Sequence, residues 1–162
     1  MPQDNIKNIQ IANEVLIPEI INLLHEGHTV TLKVKGYSMR PFLEHERDKV
    51  KLASKTDWQI NDVVLAEIAP KRYVLHRLIA LDGDKVTLLG DGNLATEHCS
   101  ISDLHGVAVA FFRKDREKAD SCDGKKWKVY SWIWMRLRPI RRYLLFLYRI
   151  YRRLCVLKKD SI

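Results

Sequence analysis

At Thr29 the hydrophobic period of this chain changes from that of a helix to that of a strand. Upstream, over residues 8–26, Ile9, Ala12, Leu16, Ile20, Leu23 and Leu24 recur at helical spacing, and Gly27 is a helix-end signal. Pro18 interrupts the pattern, so a kink or two short helices are expected. From Thr29 onward, Val30, Leu32 and Val34 alternate with Thr29, Thr31, Lys33 and Lys35. Further strands are expected near 48–53, 62–68, 72–81, 84–90 and 106–112, with Asp82-Gly83 as a hairpin turn. The 162 residues are enough to bury a real core. The predicted organisation is a helical segment over 1–28, a β-rich body over 29–114, a charged linker over 115–124 and a helical tail over 125–162.

The strand that starts at Thr29 runs into a tight turn carrying a hydroxyl, Gly36-Tyr37-Ser38-Met39-Arg40-Pro41-Phe42-Leu43-Glu44. Serine is a poor nucleophile at neutral pH and needs a base beside it. His76 lies in a second strand-like run, Tyr73-Val74-Leu75-His76-Arg77-Leu78-Ile79, and imidazole suits that task. On that strand His76 shares a face with Val74, Leu78 and Ala80, apolar neighbours that favour a neutral ring. The turn is not the Gly-x-Ser-x-Gly elbow of α/β-hydrolases, because Arg40 occupies the place of the second glycine.

Five boxes in order over residues 30–112 resemble the type I signal peptidase and LexA-like serine peptidase superfamily. The first is Gly36-Tyr37-Ser38-Met39-Arg40-Pro41-Phe42-Leu43. Arg47-Asp48-Lys49-Val50 and Asn61-Asp62-Val63-Val64 follow, each with its customary leading glycine replaced. Then come Leu75-His76-Arg77-Leu78-Ile79 and Gly90-Asp91-Gly92-Asn93. The His76-Arg77 pair resembles the branch that uses histidine in place of lysine as base.

This resemblance implies a mainly β, signal-peptidase/LexA-like barrel-type catalytic domain, to which periodicity and charge add an N-terminal helix and a C-terminal basic amphipathic helical tail. It also implies a serine-type endopeptidase, a hydrolase that processes a leader or precursor peptide and requires no cofactor or metal. Ser38 would be the nucleophile, with its backbone N–H serving the oxyanion hole, and His76 the base. Gly36 leaves no side-chain donor to assist that N–H. Either Asp91 or Glu97 would orient the imidazole, and Met39 would border a substrate pocket. Two alternatives stay open: a catalytically inactive peptide-binding module of the same fold, and a regulator related to the repressor branch.

The net charge of +8 is unevenly placed. Between Lys125 and Lys159 there are 12 Lys or Arg and no acid, leaving 16 of the 28 basic groups elsewhere against all 20 acidic ones. The tail interleaves these cations with Trp127, Trp132, Trp134, Tyr143, Phe146, Tyr148 and Tyr151. Its longest apolar run, Tyr143–Tyr148, falls far short of the ~20 residues a membrane-spanning helix needs. Aromatics with snorkelling arginines suit an interfacial helix on anionic lipid; a helical hairpin using the aromatics as core or as an oligomer seam is the competing reading. Pro139 should bend or split the segment. The tail is unusually apolar for a phosphate binder, which argues against nucleic acid.

Cys99, Cys122 and Cys155 are odd in number and scattered, which argues against a disulfide framework and for a reducing compartment. His25 and His28 have no partners at zinc spacing. The first residues, Met1-Pro2-Gln3-Asp4-Asn5, lack the basic start and apolar core of a secretory leader. The expected location is therefore cytoplasmic, peripherally attached to the membrane.

Overall fold

The computed structural model describes residues 13–114 and 116–159. Helix α1 (Asn13–His25) is followed by β1 (Val30–Lys33), β2 (Lys49–Ala53), β3 (Val63–Ala69), β4 (Arg72–Asp82) and β5 (Lys85–Leu89). Then come β6 (Glu97–Ser100), β7 (Leu104–Phe112), β8 (Asp120–Ser121), α2 (Lys125–Arg136) and α3 (Arg141–Lys159). α1 is one helix that includes Pro18 rather than two short ones. It stops at Gly27, whose φ of +86° is the left-handed value of a helix terminator. Ile9 and Ala12, expected on the same helix, lie outside the described residues.

All strand pairs are antiparallel, in the order β1-β2-β7-β3-β4-β5-β6, with β8 added beside β7. The expected barrel-type closure is corrected: β1 and β6 are separate edges, so the sheet is open. β6 and β8 were not anticipated. β8 falls inside the stretch expected to be a linker, and its pairing with Ala110 and Phe111 ties that stretch to the body.

The alternation of β3 explains why both faces of the sheet are covered. Val63 and Leu65 enter one core with Ile20, Leu24, Phe42, Leu52 and Phe111, while Val64 and Ala66 enter another with Leu78, Val86 and Leu88. Register carries this parity into β4, where Val64 faces His76 and Val63 faces Arg77. The imidazole and the guanidinium therefore leave the sheet on opposite sides. Pro139 falls in a single 3₁₀ turn between α2 and α3, splitting the tail as its sequence predicts. α2 packs Trp127, Ser131 and Trp134 against the body. Among the described residues no helix is long and apolar enough to cross a membrane.

Candidate active site

Ser38 sits half-buried on the turn that follows β1. Gly36, at φ +86°, opens that turn and donates its N–H to His45 Nδ1 at 2.9 Å. The Ser38 carbonyl accepts the Gly92 N–H at 2.7 Å, joining this turn to residues 90–93. Two glycines make the approach possible. A Cβ on Gly92 would stand 2.7 Å from the Tyr37 carbonyl oxygen. A Cβ on Gly90 would stand 2.5 Å from the Ser38 carbonyl oxygen and 3.0 Å from His76 Nε2. Those two distances bound the gap between the Ser38 main chain and the imidazole at their sum. Fold and register thus bring the hydroxyl-bearing turn and the ring together.

His76 is only 3% exposed. Burial lowers its pKa below the ordinary imidazole value, and the nearby Glu97 carboxylate opposes that shift. Nδ1 lies 2.5 Å from Glu97 Oε2. The pair falls outside regular hydrogen-bond geometry, yet the two sealed atoms have only each other, since neither has another partner. Strand parity accounts for the meeting: Glu97 pairs with Leu88, which lies in the same core as Leu78 and Val64. Nε2 is not among the sealed unpartnered atoms and is the ring nitrogen on the Gly90 side, where Asn93 Nδ2 also approaches. Among the described residues the Ser38 hydroxyl makes no hydrogen bond.

Asp91 is placed differently. Its carboxylate is 0% exposed and receives the Arg77 fork, Nε to Oδ1 at 2.9 Å and Nη2 to Oδ2 at 2.8 Å. The Tyr130 hydroxyl donates to Oδ2 at 3.0 Å, and the Trp134 indole donates to the Asp91 carbonyl at 3.1 Å. Burial raises the Tyr130 pKa, so the hydroxyl keeps its proton and remains a donor. Arg77 also bonds Ser131 Oγ at 2.8 Å and lies over the Trp127 ring. Asp91 therefore anchors α2 to the body, and the contact on His76 belongs to Glu97.

Met39, expected to border a substrate pocket, is corrected to a core residue: it is 2% exposed and packs with Phe42 and Leu43. The next box explains itself in backbone terms. Asp48 takes the Glu44 and Lys114 N–H groups at 2.8 and 2.9 Å and the Arg47 side chain at 2.7 Å, fixing the end of the Ser38 loop. Asn61 adopts φ +78°, the left-handed conformation for which glycine is customary and asparagine tolerable.

A cleft of about 460 Å³ opens beside Ser38, and α3 supplies one wall through Leu145, Tyr148, Arg149, Arg152 and Arg153. Sequence reasoning assigned these arginines to the tail and gave no sign of their place at the site. No local signal could have done so, because the contact depends on how α2 docks. All three cysteines are free, and burial pushes the Cys99 and Cys122 thiols up to about 11 and about 12, away from the reactive thiolate form. Among the described residues no group of three His, Cys, Asp or Glu could hold a metal. Comparison with protein-family models, curated proteins and solved structures gives no match.

Proposed function

We propose that this chain is a serine endopeptidase of the signal-peptidase-like kind that processes a leader or precursor peptide. The observation that carries the reading is the meeting of Ser38, His76 Nε2 and Gly90, with Glu97 on the far ring nitrogen. Ser38 Oγ attacks the peptide carbonyl carbon as its proton passes to Nε2. Glu97 holds the Nδ1 side and stabilises the imidazolium that forms. Collapse of the tetrahedral intermediate returns the proton to the leaving amine, and water then hydrolyses the acyl-enzyme. The Ser38 N–H is the expected oxyanion donor, and Gly36 adds none.

An active-site-directed fluorophosphonate tests this reading. Labelling of the unaltered protein, lost in both Ser38→Ala and His76→Ala, is the expected result. Labelling that survives either change, or none at all in the unaltered protein, would reject catalysis in favour of a peptide-binding module.

The reading includes attachment to an anionic membrane surface through the tail. α3 exposes Tyr143, Phe146, Leu147, Ile150, Tyr151 and Leu154, and α2 exposes Trp132. Arg142, Arg149 and Arg153 run alongside that apolar face of α3. Each cation near such a surface contributes about 1 kcal/mol. Flotation with phosphatidylserine vesicles at moderate salt is expected to carry the protein; failure to float rules the attachment out.

A further inference from the structure

The cleft beside Ser38 carries more positive charge than its own carboxylates balance. Arg40, Arg149, Arg152 and Arg153 all line it. Arg40 and Arg152 share one acid, Glu44, which also accepts the Tyr148 hydroxyl at 3.2 Å. Arg149 and Arg153 make no ion pair or hydrogen bond among the described residues. They stand four apart on α3, a like-charged spacing that weakens a helix slightly and that a bound anion would offset. Asn93 lines this cleft and also a neighbouring depression of about 350 Å³ bordered by Arg138 and Arg141. An extended chain crossing Asn93 meets cations on both sides and no lining acid.

We propose that this cleft selects an acidic peptide, with Arg149 and Arg153 receiving an Asp or Glu side chain beside the scissile bond. The inference rests on the peptidase reading and names its substrate class. Guanidinium groups suit a carboxylate because their N–H forks match its two oxygens. A lipid headgroup is the other anion these arginines could meet. Position favours the peptide: Arg149 and Arg153 line the concavity that Ser38 also lines, while Tyr143, Leu147, Ile150 and Leu154 lie roughly 100° around α3 from them, and Phe146 closer, at roughly 40°.

The test is binding of fluorescein-labelled octapeptide pools, one position fixed as Glu or as Gln, to the Ser38→Ala protein. The Glu pool is expected to bind about tenfold more tightly at low salt, with the ratio shrinking as salt rises. Arg149→Glu with Arg153→Glu should abolish or invert the ratio, and Arg149→Gln with Arg153→Gln should lower it. A Glu-to-Gln ratio near one would overturn the proposal, as would a ratio untouched by charge reversal. Charge reversal that releases the protein from anionic vesicles while the ratio persists would assign these arginines to lipid instead. Binding needs no turnover, so the two readings fail separately. Cleavage without a Glu preference sinks only the pocket; a Glu preference in binding, with no pool cleaved by the unaltered protein, sinks only the peptidase.

Discussion

Asp91 and Glu97 stand six residues apart, and either could have served the imidazole, yet they occupy opposite kinds of environment. Asp91 is sealed, and its oxygens are filled by Arg77 and Tyr130. A carboxylate so engaged spends three of its about four acceptor positions on Arg77 and Tyr130, and Arg77 leaves the sheet on the face opposite the imidazole. The Glu97 side chain is 22% exposed, gives one oxygen to His76 and shares the other with Arg72 at 3.3 Å. The first acid holds the tail on the body; the second faces the His76 imidazole. Their roles follow from side-chain direction, since Arg77 and His76 leave β4 on opposite faces and each draws a different acid.

Substitution should separate the two functions. Glu97→Gln is expected to lower kcat about a thousandfold or more, as loss of the orienting carboxylate does in serine triads, with little change in the unfolding midpoint. Asp91→Ala should do the reverse, destabilising the fold by about 3–5 kcal/mol because Arg77 is left buried without its partner. Parallel denaturation and turnover measurements decide it. Asp91→Ala that stayed stable but inactive would break the contrast and return Asp91 to the catalytic set.

Gly90 lies where the two regions join, and its role is spatial. Any side chain there would press on the Ser38 carbonyl and on His76 Nε2 together. Gly90→Ala should therefore cost about 10²-fold in kcat/KM, the scale of a displacement near 1 Å between reacting groups. The accompanying loss of stability should be smaller than for Asp91→Ala, about 1–3 kcal/mol from overpacking. Turnover equal to that of the unaltered protein would show that the Ser38 turn and the ring need not meet at Gly90.

Much of the β body was legible because local chemistry and long-range register agreed. The alternation from Thr29 and the near-continuous apolar run of β3 each specify their element without help, and the hairpin expected at Asp82-Gly83 forms one residue later, at Gly83-Asp84, with Asp82 paired to Lys85. Ser38 and His76 were legible for the same reason, as residues of a turn and a strand with recognisable neighbours. The choice between Asp91 and Glu97 was not, because β6 is only four residues long and has no hydrophobic pattern of its own. Its place is fixed by pairing with β5. Met39 misled for a related reason: a turn says nothing about which way each side chain points. In the tail, composition marked a helix interrupted at Pro139, but the docking of α2 rests on Arg77 and Asp91, which belong to the body.

The finest distinction between the two acids lies in the pH profile. On the peptidase reading His76 must be neutral to take the Ser38 proton, so kcat/KM should rise with pH through the pKa of that ring. Burial holds this value below the usual imidazole range, so the acid limb should fall below about pH 6.5. Glu97 acts in the opposite sense, because its charge favours the imidazolium. Glu97→Gln should therefore move the limb to lower pH even as the plateau drops. Asp91 also favours the imidazolium, but it follows burial and both Glu97 contributions in magnitude, so Asp91→Asn should move the limb the same way by less. An equal shift in the two variants, or an upward shift in Glu97→Gln, would mean that Glu97 does not face the base in solution.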